Sequence, residues 1–307
     1  MKYTNFIENG IWLKGNLHAH STNSDGDLAP EQVIKEYKKR NYQFLSITDH
    51  NIFTTYPQFS DHNFVMIPGL ELSCYATKEK GMHLNIIQKS EQCDFTQNEL
   101  FSVQSPEETV EFIKSHHQNY IVTLNHPYWS LLEWEEVIDL QDVFCMEVYN
   151  HGSEWLDCVG EASKFWDTLL RKGKKIWGLA TDDNHNGYKH IQGWPFNLLQ
   201  TDSFGGYIMV KAKEFTHSAI MQAIMFGSFY SSTGPEIYDF YVEDGEIVVN
   251  CSPCERIIFS GDRRYFQRSF GVGLTHFRTR LKGAEKYVRV QCIDKYGKTA
   301  YGNPIYL

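Results

Sequence analysis

Residues 11–20 read Ile11-Trp12-Leu13-Lys14-Gly15-Asn16-Leu17-His18-Ala19-His20, an apolar run that ends in two histidines. The run has the texture of a strand over 11–17, and His18 and His20, two apart on extended chain, point to the same side. Residues 30–40 follow with helical period, with Asp27 or Ala29 near the start and Pro30 suited to the first turn. The alternation then repeats. Residues 44–48, 65–72, 82–87, 120–124, 144–149, 176–180 and 206–211 read as strands. Helices are expected after Ser105, which forms a capping-box pattern with Glu108, at 133–140, at 161–172, and from Thr216 to 226. About seven β-elements with intervening helices imply an α/β fold of the barrel type. After Gly227 the texture changes to short strands at 237–242, 247–249, 256–259, around Phe277, at 287–292 and at 300–306. Two domains are expected: 1–229, a β/α barrel, and 230–307, a small antiparallel β-sandwich-like domain.

The charge supports that division. The 307 residues carry 29 Lys and Arg against 38 Asp and Glu, a net charge of -9, and 42% are hydrophobic. Residues 1–229 hold 18 basic and 29 acidic residues, whereas 230–307 hold 11 and 9. An acidic barrel argues against binding a nucleic-acid polymer by bulk attraction, and it offers no basic track for single strands. No apolar run approaches the length of a membrane helix and no signal-peptide core is present, so a cytoplasmic, membrane-free protein is expected. The seven cysteines are odd in number and scattered, which fits reduced thiols; Cys251-Ser-Pro-Cys254 reads as two incidental turn cysteines.

The chemistry lies where His, Asp and Glu fall. His18 and His20 end the first strand, with Asp25 in the following loop; Thr48-Asp49-His50 ends the second; Gly69-Leu70-Glu71 belongs to the third; Asn125-His126-Pro127 ends a later one; and Thr181-Asp182-Asp183-Asn184-His185 ends the strand that starts near 176. In an α/β barrel these ends converge on one face. Imidazole and carboxylate are ligands of zinc, iron and manganese, and this set is large enough for more than one ion. A lone histidine is more often structural, but so many such groups at successive strand ends favour a polynuclear centre. Neither Gly-x-Ser-x-Gly nor a phosphate-binding Gly-rich loop is present.

Taken together, Asn16-Leu17-His18-Ala19-His20-Ser21 with Asp25, Ile47-Thr48-Asp49-His50, Pro68-Gly69-Leu70-Glu71-Leu72-Ser73, Asn125-His126-Pro127 and Asp183-Asn184-His185 resemble the polymerase and histidinol phosphatase (PHP) superfamily of metal-dependent hydrolases. The resemblance covers roughly 15–231. It implies a distorted (β/α)7 barrel with two or three divalent ions of zinc, iron or manganese. By position the ligands would be His18, His20, Asp25, His50, Glu71, His83, His126, Asp183 and His185. Asp183 is preferred to Asp182 because Asp-x-His is the family spacing, leaving Asp49 and Asp182 as supporting carboxylates, with Asp49 orienting a neighbouring histidine. The final strands, Glu147-Val148-Tyr149-Asn150 and Gly193-Trp194 resemble the branch that includes carbaryl hydrolase.

The expected reaction is hydrolysis by metal-activated water, with Glu71 bridging ions and His126 or His185 either holding a further ion or protonating the leaving group. A small phosphorylated metabolite or nucleotide is the first substrate class. A carboxylic or carbamate ester is the second, because residues 1–229 contain only Arg40 and Arg171 as arginines. A non-catalytic metal- or ligand-binding module is the third reading. Asn150, His151, Lys189 and His190 are candidate substrate contacts, and Tyr128, Trp129 and Trp194 could form an aromatic wall. His116 and His117, ending a helix, read as structural, and Arg263, Arg264 and Arg268 as a solvated basic stretch.

Overall fold

The computed structural model describes residues 2–90, 92, 94–187, 201–264 and 267–307. The strands of the first half are Lys2–Tyr3 (β1), Ile11–Asn16 (β2), Phe44–Leu45 (β3), Val65–Met66 (β4), Gly69–Thr77 (β5), Lys80–Gln88 (β6), Tyr120–Leu124 (β7) and Val143–Asn150 (β8). Trp177–Thr181 (β9), Tyr207–Ala212 (β10), Phe229–Ser232 (β11) and Ile237–Glu243 (β12) follow, then Glu246–Gly261 (β13), Gln267–Arg280 (β14), Tyr287–Ile293 (β15), Thr299–Gly302 (β16) and Ile305–Tyr306 (β17). The α-helices are Pro30–Lys39 (α1), Pro106–His116 (α2), Trp134–Val137 (α3), His151–Asp157 (α4), Ser163–Arg171 (α5) and His217–Met225 (α6). None of the described helices is long and apolar enough to cross a membrane.

Helix starts obey local chemistry. Ala29 is the N-cap of α1, with Pro30 in its first turn and Gln32 Oε1 accepting from the Ala29 N–H. Ser105 and Thr216 cap α2 and α6 through their hydroxyls, which accept from the N–H of Glu108 and Ala219. The Glu108 carboxylate reaches back to the N–H of Gln104, one residue before the expected partner. Helix α4, not anticipated in the sequence, is capped by Asn150, whose Oδ1 accepts from the Ser153 N–H.

The strands form two sheets. One runs β1-β12-β13-β15-β16-β11-β10-β2-β3-β4, with β14 beside β13 and β17 beside β15; the other runs β5-β6-β7-β8-β9. This mixed architecture is α/β as expected, but the hydrogen-bonded ring is not continuous. Strand 65–72 breaks in two at Ile67-Pro68, strand 44–48 shortens to two residues, and β5, β6 and β7 pair antiparallel. Only single bridges, including Ala19 with Asn184 and His50 with Glu71, join the two sheets. At Gly15 the ring of Phe44 occupies the space of a side chain, since a Cβ would come within 2.1 Å of it.

The C-terminal β region continues the first sheet. Its strands are antiparallel, but β11 pairs with β10 on one side and β16 on the other, so one sheet carries the first strands and the last. Tyr287 and Tyr301 belong to the same apolar core as Trp166 and Leu169. Arg289 donates from Nε to Asp167 of α5 at 2.6 Å with its side chain buried. Cys251 and Cys254 lie within β13 and are buried with Cys292, so they are strand residues of the core rather than turn residues.

Candidate metal centre

The bridges between the sheets build the site. The Asp183 N–H donates to His18 O and the His20 N–H to Asn184 O, each at 3.0 Å, tying the end of β2 to the chain leaving β9. The Thr48 N–H donates to Ala19 O at 2.7 Å, Asn51 to Glu71 O at 2.7 Å, and Asn125 to His83 O at 3.1 Å. Each ligand-bearing segment is thus stitched to another by backbone. His126 (φ 22°) and Asp183 (φ 54°) sit in the left-handed region, which side chains adopt only when their surroundings impose it.

Three groups of side chains could each hold a cation, their donor atoms lying within 4.8 Å of one another: His18, His20, Glu71 and Asp183; His50, Glu71 and His83; and His20, Asp25, His50 and His185. Glu71 is the hub. Its Oε2 lies 3.2 Å from His18 Nε2, 3.1 Å from His20 Nε2 and 3.1 Å from His50 Nδ1. Its Oε1 lies 3.1 Å from His83 Nδ1 and 3.2 Å from His126 Nε2, and accepts from Asn125 Nδ2 at 2.7 Å. Asp25, more exposed, faces His20 Nδ1 at 3.7 Å, His50 Nε2 at 3.5 Å and His185 Nε2 at 3.4 Å.

These distances bring all nine expected ligand residues to one place, with Asp183 rather than Asp182 in the cluster. Glu71 Oε2, Asp183 Oδ1, His50 Nδ1 and His83 Nδ1 are buried yet have no hydrogen-bond partner. Buried polar atoms are rarely left so. Convergent orphaned oxygens and nitrogens fit divalent cations.

Electrostatics of the protein alone agree. Burial opposes charge on Glu71 and Asp183, yet both lie well below the usual carboxylate range because their histidines outweigh it. Burial likewise depresses His20, but the close Asp183 and Glu71 carboxylates raise it to about 10. His50 is pushed down to about 4 by burial, with the positive charge of His20 and His83 adding to the effect and Glu71 opposing it.

Glu147, in β8, is the functional carboxylate the sequence reading passed over. It is fully buried; its Oε1 lies 2.6 Å from His18 Nδ1 and accepts from Thr181 Oγ1 at 2.6 Å. Its Oε2 accepts from the His126 N–H and Asn150 Nδ2, each at 2.7 Å. A carboxylate with these donors fixes His18 as the Nδ1–H tautomer and leaves Nε2 facing Glu71 and Asp183. A glutamate inside an apolar strand has no spacing signal that marks it.

Other expected residues fall elsewhere. Asp49 accepts from Ser21 N–H and Oγ and from Ser24 Oγ, and touches no histidine directly; Ser24 Oγ, 3.4 Å from His20 Nδ1, stands between. Asp182 accepts from Tyr37 OH and from the N–H groups of Gly205 and Gly206, on the side away from the cluster. Asn150 is buried, and its amide bonds Glu147, Asp183 and the Ser153 N–H at the cap of α4. His151 is held between Tyr149 OH and Thr201 O, outside the cavity lining. Lys189, His190 and Trp194 lie outside the described residues. Tyr128 packs on Phe165, whereas Trp129 does line the cavity. His116 and His117 bond carbonyls of their own helix, as a structural role requires, and Arg263 binds Ala284 O.

The PHP domain model matches residues 16–182, more than half of the chain. No curated protein matches the chain. Among solved structures, a two-domain protein of Bacteroides vulgatus, described as containing a predicted PHP-like metal-dependent phosphoesterase, is 16% identical, with 94% of this chain and 92% of that chain covered and a TM-score of 0.51. A proposed metal-dependent phosphoesterase of Bifidobacterium adolescentis is 13% identical, covering 60% and 91% of the two chains with a TM-score of 0.42. An amidohydrolase of Chromobacterium violaceum, with sulfate bound and no metal, is 17% identical, covering 56% and 87% with a TM-score of 0.40. At these identities the likeness is one of fold, and in the Bacteroides protein it extends over nearly the whole length. The matched residues span the strand ends that carry seven of the nine clustered ligands, and Asp183 and His185 follow at once: the chain belongs to the PHP domain family.

Proposed function

We propose that the protein is a metal-dependent hydrolase, a phosphoesterase that cleaves a small phosphorylated molecule at a centre of two or three zinc, iron or manganese ions. The observation that carries this is Glu71, whose two buried oxygens face separate sets of histidines, as a bridging carboxylate would. His18, His20, Glu71 and Asp183 would hold one ion; Glu71, His83 and His126 a second; Asp25, His50 and His185 a third. When bound, the ions supply Lewis-acid polarisation of the ester and acidify water.

The chain's own groups do the rest. Glu147 keeps the His18 ring turned toward Glu71 and, through the His126 N–H, holds the strained turn at that residue. His126 and His185 each anchor Nδ1, on Ser130 Oγ and on Asp183 O, both at 3.1 Å, so that Nε2 faces the centre and can hold an ion or pass a proton to the departing oxygen. A carboxylic or carbamate ester is the second reading. It is favoured by the absence of Lys and Arg among the described residues lining the cavity, and it accords with the resemblance to the carbaryl hydrolase branch.

Reconstitution with manganese or zinc, followed by a panel of phosphomonoesters beside naphthyl esters and carbamates, separates the two. Phosphate release that is lost in His18→Ala and Asp183→Ala is the expected result. Full metal occupancy with no phosphate released from any member would sink the phosphoesterase reading.

A further inference from the structure

We propose that the cavity contains a subsite for a planar apolar leaving group, an aryl ring, formed by Trp129 and Leu156; this rests on the hydrolase reading above and names the part of the substrate it leaves open. The cavity measures about 350 Å³. Beside the carboxylates and imidazoles of the centre, its lining includes the uncharged residues Trp129, Gly152, Ser153, Leu156 and Gly187.

Two features of these uncharged residues point to a ring. Trp129 and Leu156 are 48% and 49% exposed, large apolar surfaces left open beside a buried polar cluster. Trp129 also stands against the reacting centre itself, its ring centroid 4.9 Å from that of His126 at 76° and 5.9 Å from that of His83. A group bonded to an ester oxygen at the centre would lie against the indole.

Leu156 is held in register with the same centre. It lies on α4, where the Gly152 N–H donates to Asp182 O at 2.7 Å and a Cβ at Gly152 would come within 2.7 Å of Asp183 O. The close approach of that first turn fixes the helix to the loop that carries Asp183. The described lining residues include no Lys or Arg, whereas Trp129 and Leu156 offer an uncharged ring apolar surface. The reaction served is ester hydrolysis: water adds its oxygen to phosphorus, the bond from phosphorus to the aryl oxygen breaks with its electron pair on that oxygen, and phenol and phosphate result.

The test is titration calorimetry of the manganese-loaded full chain with phenylphosphonate and methylphosphonate, neither of which is hydrolysed, with manganese content measured on each sample. Phenylphosphonate should bind at least about tenfold more tightly, the size of one aromatic contact. The ratio should fall toward one in Trp129→Ala, recover in Trp129→Phe, and fall in Leu156→Ala. Because Trp129 packs on two histidines, loss of manganese in Trp129→Ala passes the decision to Leu156→Ala, on α4. Equal affinities in the unaltered protein, or a preference that survives Leu156→Ala, would overturn the subsite. Manganese uptake without aryl preference overturns the subsite alone, and failure to take up manganese, zinc or iron overturns the hydrolase reading with it.

Discussion

His18 Nδ1 lies 2.6 Å from Glu147 Oε1, both side chains fully buried, and this pair decides which nitrogen of His18 faces the cluster. Replacing Glu147 with glutamine keeps the volume but places an amide where four donors converge. Metal affinity should fall about 10- to 100-fold, the usual effect of removing a carboxylate behind a ligating histidine. Competition with a chelator measures it, and circular dichroism shows whether the fold is kept. Unchanged affinity would mean that His18 is oriented without Glu147.

The pH response should change sign with metal. His20 is raised from 6.5 to about 10 in the protein alone. A raised histidine contributes stability that is complete below the unfolded value and lost as pH climbs through the folded one. The chelated protein should therefore lose thermal stability between about pH 6.5 and 10. Metal ligands must be deprotonated, so the loaded protein should bind its ions more tightly over the same interval, and its Tm should hold or rise. Parallel Tm curves with and without chelator would show that His20 takes no part in metal binding.

Arg289 and Asp167 join the C-terminal strands to α5 by a 2.6 Å ion pair, with the arginine side chain 1% exposed. Breaking one partner leaves a buried charge unpaired, which costs roughly 3–5 kcal/mol. Asp167→Ala should lower stability by about that amount in urea denaturation, whereas the double change Asp167→Leu with Arg289→Met should recover most of it. Equal losses in the single and double variants would contradict this.

Much of the site could be read because its residues fall at strand ends, where few other constraints hold them. His18 with His20, Asp183 with His185, and Glu71 all belong to short local patterns, and the structure brings them together. Glu147 has no such pattern: its role comes from three other segments that supply its donors. Asn150 shows the converse: a polar residue at a strand end gives no local sign of the buried partners that engage its amide. The fold was legible as alternating strands and helices up to Phe229. The broken ring was not, because two-residue strands such as Phe44–Leu45 differ from longer ones only in hydrogen bonds. The joining of the C-terminal strands to that half through β11 depends on pairing across some 70 residues, which no local pattern carries.

The central claim is that Glu71 gathers more than one divalent ion. Elemental analysis of the protein after loading and removal of free metal tests it most directly. The account predicts at least two ions per chain in the unaltered protein and one or none in Glu71→Ala. Fewer than two ions per correctly folded chain of the unaltered protein would contradict it.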